Sequence, residues 1–209
     1  MNNLITPITT TAPLKKAPMK SPIYVLAILS AFTLAAQAAP NDGIDGAYAR
    51  VEVGRSNLGL SGTLPQAGSD NNAQAVKLFG GYHFNEHFGA EAGYAALGSF
   101  SKSVLVGGTS VTQHGRASST FAAATGRLPL GESFALHGRL GLSSGKVSGT
   151  NVLPASDNLM GSKNSVLVGL GAEYRPRLNI ALTINYDSYG KLSNNVKANA
   201  LLFGLHFTL

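Results

Sequence analysis

The chain has 209 residues, with 25 glycines, no cysteine, no tryptophan and only 12% charged residues. This length suits a single domain, and the lack of cysteine excludes disulfide frameworks and thiolate chemistry. Apolar and β-branched residues are spread through the whole chain, so the composition is not that of a disordered protein.

The first forty residues have the pattern of a secretory signal peptide. Met19-Lys20 opens a basic region, residues 23–36 form an apolar run, and Ala36-Gln37-Ala38 is a small-x-small cleavage site. The run is too short for a transmembrane helix, which needs roughly 20 apolar residues. We predict a signal peptide at residues 1–38 and a mature chain at 39–209. The residues before Met19 are either an extended basic region or an extension ahead of a true start at Met19, and we favour the second.

The positive charge of the chain lies partly in this predicted leader. It contains Lys15, Lys16 and Lys20 and no acidic residue, so its removal lowers the formal net charge from +6 to +3. The mature chain has no cluster of basic and aromatic residues, and nucleic-acid binding is not predicted. It also has no second apolar run long enough for a helix, so it can span a membrane only as a β-barrel.

Eight segments of the mature chain alternate with the two-residue period of β-strands. In the seventh segment, for example, polar Thr183 lies between apolar Leu182 and Ile184. The predicted strands cover residues 47–53, 73–84, 88–100, 111–128, 134–144, 165–174, 179–189 and 197–209.

Two of these strands carry specific expectations about side-chain direction. In the third, Phe100 shares the apolar face of Phe88 and Tyr94. The fourth is the weakest, because Phe121 and Arg127 have the same parity. It needs either a bulge or an arginine at the membrane interface, and its register stays open.

The connections between the strands alternate in length. Residues 85–87, 129–133 and 175–178 form short turns, whereas the loops predicted at 55–72, 101–110, 145–164 and 190–196 are longer and rich in glycine, serine and asparagine. Short periplasmic turns and longer outer loops are typical of outer-membrane barrels. Aromatic residues beside the short turns are predicted to form a periplasmic-side girdle, namely Phe84, Phe88, Phe134, Tyr174 and Phe207.

The two faces of the strands differ in character, and this predicts which one faces inward. The apolar face is bulky and almost free of charge, whereas the other face holds small residues and isolated charges. A soluble lipocalin-type barrel would point the apolar face inward. We predict the reverse: an all-β, eight-stranded, antiparallel up-and-down transmembrane β-barrel. Its lumen would hold a nearly balanced and mutually paired charge cluster, formed by Arg50, Glu52, Lys77, Glu91, His137, Arg139 and Glu173.

Three stretches of the mature chain resemble the OmpA transmembrane barrel family. KLFGGYHFNEHFGAEAGYAALGSF (77–100) is similar to its second hairpin, and LPLGESFALHGRLG (128–141) to the hairpin of its fourth and fifth strands. GLGAEYRPRLNIALTINYD (169–187) is similar to its sixth and seventh strands. Since the sequence ends with the eighth strand, we expect the barrel domain alone, without the family's peptidoglycan-binding domain.

The resemblance also implies an ion gate, in which an interior glutamate exchanges basic partners. Glu91 and Glu173 match the acidic positions. However, Thr183 stands where the seventh-strand arginine would be, and Thr125 lies near the position of the fourth-strand lysine. We therefore favour a filled, charge-paired lumen over a switchable gate.

The expected location is the outer membrane of a Gram-negative bacterium, reached by export through the periplasm. The partners expected there are outer-membrane lipid, lipopolysaccharide and the assembly machinery, which would recognise the last strand from Phe203 to Leu209. In that strand Leu209 replaces the usual terminal aromatic, with Phe207 two residues earlier on the same face. We expect a monomer that binds no nucleic acid.

The leading functional hypothesis is a structural or surface-interaction barrel with at most a narrow passive pore. One alternative is an adhesin acting through its extracellular loops, although these are polar and short of aromatic anchors. A lipid A-modifying enzyme is less favoured, since His114 and Ser118 share a strand face without any recognisable motif. We predict no catalytic, cofactor or metal site, because the five histidines are scattered and no nucleotide-binding motif is present.

Overall fold

The structure is a computed structural model that describes residues 46–64, 66–150, 155–177 and 180–208. The predicted signal peptide and Leu209 lie outside these residues. Within them the strands are β1 (Gly46–Leu60), β2 (Gln66–Asp70), β3 (Asn72–His83), β4 (Phe88–Val106), β5 (Thr109–Pro129), β6 (Phe134–Gly149), β7 (Gly161–Arg177), β8 (Ile180–Lys191) and β9 (Val196–Thr208). A 3-10 helix, Ala155–Asp157, lies between β6 and β7. In the described part of the chain, no helix is long and apolar enough to cross a membrane.

Eight of the strands form a closed antiparallel ring. Each of β3 to β8 pairs with its neighbours on both sides, and β1 pairs with β3 and with β9. Closure leaves no free strand edge among these eight strands, so their backbone groups are satisfied within the sheet, as a lipid environment requires. The predicted all-β up-and-down barrel is confirmed.

The structure differs from prediction in two ways: it contains an additional strand, β2, outside the ring of eight, and several strands are longer than predicted. The sequence predicts a loop at residues 55–72, but β1 continues to Leu60 and β2 pairs with the far end of β4. Likewise, the predicted loop at 101–110 is a hairpin with a tight turn at Gly107 and Gly108, whose φ angles are 58° and 83°. Two positive φ angles suit a type I′ turn, which matches strand twist. Polar residues on both faces give these segments the composition of loops, although they pair as strands.

The outer face of the barrel is apolar, as the alternation predicts. Leu142 is 69% exposed and Leu170 is 71% exposed. In a water-soluble barrel, side chains this exposed are mainly polar. Valine, isoleucine, leucine and tyrosine occupy equivalent outward positions on β1, β3, β8 and β9. Such a continuous apolar surface is the lipid-facing band of a transmembrane barrel.

A β-bulge in β4 overturns the prediction for Phe100. The register shifts between Ala96 and Gly98, and Gly98 has a φ of 84°. One extra residue reverses the inward and outward parity. Tyr94 therefore faces outward, whereas Phe100 points into the barrel and is only 3% exposed.

The structure defines the register of the fourth predicted strand, which is β5. Neither of the two expected features, a bulge or an arginine at the membrane interface, is present in it. β5 pairs with β6 in unbroken register from Gly115 to Pro129. Phe121 and Arg127 therefore face the same way, and both point inward. Phe121 is 5% exposed in the lumen, and Arg127 reaches Glu173. No bulge intervenes, and the arginine points into the barrel instead of toward the membrane interface.

The bulge predicts a position-specific effect of adding a methyl group. Gly98→Ala should lower the free energy of unfolding by about 1–3 kcal/mol, the usual cost of a non-glycine residue held in such a conformation. Its Cβ would also press on the Cβ of Ala73 and the carbonyl of Gln74. Urea unfolding in detergent micelles measures the change. Gly126→Ala is the control, since a Cβ there meets no atom within 4 Å; equal losses at both glycines would contradict this account.

Candidate functional site

The structure places all seven predicted lumen side chains on the inward face of the barrel, and none is more than 7% exposed. They do not form a single cluster. Glu52, Lys77, Glu91 and Arg139 meet in the middle of the lumen, whereas Arg50 and Glu173 meet nearer the end with the short turns, which we call the short-turn end. His137 lies between the two groups.

The middle group is completed by Asp187, and we call these five residues the central cluster. Lys77 Nζ lies 2.7 Å from Asp187 Oδ2 and 3.8 Å from Glu52 Oε2. Arg139 lies 3.2 Å from the same Asp187 oxygen and 3.1 Å from Glu91 Oε1. Asp187 thus bridges two cations that come from β3 and β6. Two cations face three carboxylates, so each buried positive charge has more than one partner, as burial of charge requires.

The second group surrounds one carboxylate, and we call it the Glu173 cluster. Arg50 Nη2 lies 3.0 Å from Glu173 Oε2, and Arg175 Nη2 lies 2.8 Å from Oε1. Arg127 Nη2 lies 3.6 Å from Oε1, and His206 Nδ1 lies 2.9 Å from Oε2. Apart from Arg175, which shares β7 with the glutamate, these partners come from β1, β5 and β9. The carboxylate therefore ties β7 to three other strands.

An amide joins His137 to the central cluster. Asn185 Nδ2 donates a hydrogen bond of 2.6 Å to Glu52 Oε1. The Asn185 amide oxygen lies 2.5 Å from His137 Nε2 and also accepts from Arg139 Nη2 at 3.4 Å. The alternation puts Asn185 on the polar face, but its linking position depends on register between distant strands and was not anticipated.

Aromatic rings fill the lumen beside the central cluster. The centroids of Phe79 and Phe121 are 5.8 Å apart, and Lys77 Nζ lies 4.4 Å from the first and 4.5 Å from the second. Tyr189 packs against Phe121 at 6.5 Å. Aromatic faces attract desolvated cations, so these rings both occupy space and stabilise Lys77. Sequence reasoning missed the interior role of Phe79 and Phe121.

The end of the barrel with the longer connections, which we call the loop end, holds an apolar core that was not predicted. Leucines and smaller apolar residues from most strands meet there, all nearly inaccessible to solvent. The core includes Leu58, Leu97, Leu159, Leu167, Leu192, Val196 and Leu202. A sequence signal for it exists, since Leu167 and Leu202 interrupt the alternation with hydrophobic side chains on both faces.

The 3-10 helix is tied to the segment after β1 by a carboxylate. Asp157 accepts hydrogen bonds from the hydroxyl and amide of Thr63, both at 2.7 Å, and from the amide of Leu64 at 3.1 Å. We call these three residues the mouth clamp. The Thr63 hydroxyl and then the Leu64 amide stabilise the carboxylate, which lowers the pKa of Asp157 to about 2. The clamp holds the helix beside Leu159, which is buried in the apolar core.

The predicted girdle residues lie beside the short turns. Phe84, Phe88, Phe134 and Tyr174 are exposed, and Phe207 is partly buried. The rings of Phe134 and Tyr174 lie 4.8 Å apart. Their contact with the membrane interface stays a prediction. Among the described residues, no group of three or more histidine or acidic side chains is arranged so that it could hold a metal ion.

Comparison with known proteins agrees with this architecture. The family described as outer membrane protein beta-barrel domain matches residues 24–208, so the predicted family is confirmed. No curated protein matches the chain.

Three solved structures share the fold at low sequence identity. OprG of Pseudomonas aeruginosa has a TM-score of 0.57 and 11% identity, over 80% of this chain and 99% of its own. Neisserial surface protein A has a TM-score of 0.53 and 16% identity, over 80% and 100%. Ail of Yersinia pestis has a TM-score of 0.51 and 22% identity, over 78% and 99%. These similarities concern the fold alone.

The shared role of Asp187 predicts a large effect of neutralising it. Asp187→Asn should lower the free energy of unfolding by about 3–5 kcal/mol, since Lys77 and Arg139 would lose their common partner inside the barrel. Urea unfolding in micelles measures the loss. Glu132→Gln is the matched control, because Glu132 is exposed in a short turn. A change no larger than that of the control would contradict the bridging role of Asp187.

The mouth clamp predicts a pH dependence with a defined direction. The pKa of Asp157 is lowered from an ordinary 3.8 to about 2, so the clamp is fully stabilising above pH 4 and is lost as the pH falls through about 2. The amide chemical shifts of Thr63 and Leu64 should titrate with a midpoint near 2. In Asp157→Asn this transition should vanish. A midpoint near 3.8 would show that the carboxylate is free.

Proposed function

Because the chain belongs to the outer membrane protein beta-barrel domain family, we propose that it is a closed barrel that serves as a scaffold for its loop-end surface, with a lumen filled by its own side chains. The observation that carries this proposal is the filling of the lumen. The Glu173 cluster, the central cluster and the apolar core follow one another along its axis.

Conduction would require ions to pass groups that already neutralise one another. Lys77 and Asp187 are fully buried, and their side chains have no solvent-accessible surface. Separating such a pair exposes an uncompensated charge, which is strongly unfavourable. The rings of Phe79 and Phe121 occupy the space beside Lys77. This arrangement favours a structural lumen over a water-filled one.

The geometry also argues against a gate of the family's kind. Among the described residues, Glu91 forms an ion pair with Arg139 alone and accepts a hydrogen bond of 3.2 Å from Tyr48. Thr183 and Thr125 supply no basic group for an exchange. Lys77 is held by Asp187, so a change of partner by Glu91 would have to disrupt the central cluster.

A role as a surface-interaction barrel is supported by the hairpin of β4 and β5. Its strands pair as far as Val106 and Thr109, which gives the projecting segment a regular backbone. Leu105 and Val106 at its tip are 43% and 39% exposed. Exposed apolar side chains on an ordered projection favour contact with another macromolecule, and they are the specific observation in favour of an adhesin-like alternative.

An enzymatic role is disfavoured by strand geometry. His114 and Ser118 both lie on β5, four residues apart on one face. At the rise of a β-strand they are separated by about 13 Å along the strand, too far for a base to activate a nucleophile.

The remaining expectations about cell biology stay proposals. They are export by the leader at residues 1–38, assembly through the last strand, contact with lipopolysaccharide, and a monomeric state. The side chains of Phe203 and Leu205 on β9 face outward, which supports recognition of the last strand by the assembly machinery.

The closed lumen predicts electrical silence. Purified protein, shown by heat-modifiable gel mobility to be folded, should give no steady single-sized channels in a planar bilayer, because paired groups fill the lumen. A heat-denatured sample controls for leakage caused by added protein. Regular small conductances that Glu91→Ala or Arg139→Ala abolish would contradict the proposal and support a pore.

A further inference from the structure

Three exposed cations on adjacent strands of the outer wall form no ion pair within the described part of the chain. They are Arg55 on β1, Lys191 on β8 and Lys197 on β9, all at the loop end, and we call them the outer basic patch. The four adjacent strands β8, β9, β1 and β3 carry only Glu52 and Asp187 as acidic residues, and both point into the lumen. The charge of the patch is therefore not balanced on its own face of the barrel.

Two of these cations lie directly opposite each other. Lys191 pairs with Lys197 in the register of β8 and β9, next to Gly59 on β1. Opposed like charges destabilise a strand pair. A lone exposed lysine needs no explanation, but a cross-strand pair of lysines without an outward acid on the neighbouring strands favours a bound anion.

On the membrane side of the lysine pair, Arg55 lines a groove of about 280 Å³ on the outer surface of the barrel. The groove is bounded by the amides of Asn57, Asn72 and Asn199 and by the apolar side chains of Tyr186 and Leu201. Asn57 Nδ2 donates to Asn72 Oδ1 at 3.1 Å. Asn57 and Asn72 are both exposed to solvent.

The groove lies at the upper edge of the lipid-facing band. Val53 and Phe203, the next outward positions toward the membrane on β1 and β9, are exposed apolar side chains. From the membrane outward, the same surface therefore offers an apolar wall with Arg55 at the level of Leu201, then amides, then the two lysines. This order matches a ligand with acyl chains, sugar hydroxyls and phosphate groups.

We propose that the outer basic patch and this groove bind a phosphorylated glycolipid of the outer leaflet. Its acyl chains pack on Tyr186 and Leu201, its sugars accept and donate hydrogen bonds with the asparagine amides, and its phosphates bind the cations. Charge-assisted bonds to phosphate also relieve the repulsion of Lys191 and Lys197. The inference assigns the general expectation of lipopolysaccharide contact to one face, and it does not depend on whether the lumen conducts.

Binding in bilayer nanodiscs tests this assignment. Full-length protein with Lys191→Gln and Lys197→Gln should lose about thirtyfold in affinity for added lipopolysaccharide, the effect expected for two lysines at a membrane surface. Lys146→Gln is the matched control, since Lys146 is exposed on β6 and faces serines on both neighbouring strands. Wild-type protein should bind dephosphorylated lipopolysaccharide as weakly as the double variant binds the native form.

Thermal unfolding in detergent without glycolipid separates binding from folding. There the double variant should be at least as stable as the wild type, because the like-charge contact is removed. Adding lipopolysaccharide should then stabilise the wild type more than the variant. Equal affinity of the double variant and wild type, or undiminished binding of dephosphorylated lipopolysaccharide, would overturn the proposal. Equally tight binding of phosphatidylglycerol would overturn its assignment to a glycolipid.

Discussion

The charged side chains on the inner wall of this barrel are shielded from bulk water. Their charges must therefore be neutralised inside the lumen, by side chains that come from other strands. Asp187 on β8 meets Lys77 from β3 and Arg139 from β6, and Glu173 on β7 meets Arg50 from β1 and His206 from β9. These contacts brace the ring across its diameter, whereas the backbone ladder joins only adjacent strands. Removing one partner leaves a buried charge unpaired, which makes the network mutually dependent.

The barrel changes character along its axis. Through the membrane the apolar side chains face outward and the polar ones face inward. At the loop end this order is inverted, because Leu58, Leu97 and Leu202 pack inside while the outer wall carries serine, threonine and lysine. The inverted segment resembles a small soluble barrel built on a membrane barrel. It keeps the loop-end surface ordered, and it places cations such as Lys197 on the outer wall beyond the apolar band.

Alternation and turn length were enough to predict the ring of eight strands and the inward position of the charged residues, because both depend on local sequence period. The pairing of those charges was not predictable. Lys77 and Asp187 are 110 residues apart, and their contact depends on the register of every strand between them. The prediction for Phe100 was wrong because one bulge at Gly98 reverses its face. The inward position of Phe121 agrees with the alternation. It was not predicted, because large aromatic side chains were expected to face lipid and not a charged lumen.

We propose that the side chains of the lumen close it to water and ions. The chain contains no cysteine, so single cysteines can report accessibility. Thr183→Cys would place a thiol in the buried lumen, and Thr112→Cys would place one on an exposed part of β5. The rate of reaction with a small charged methanethiosulfonate reagent, measured on folded protein in bilayers, is the direct test. We expect the thiol at 183 to react far more slowly than the thiol at 112; equal rates would show an open, water-filled lumen and contradict its closure by side chains.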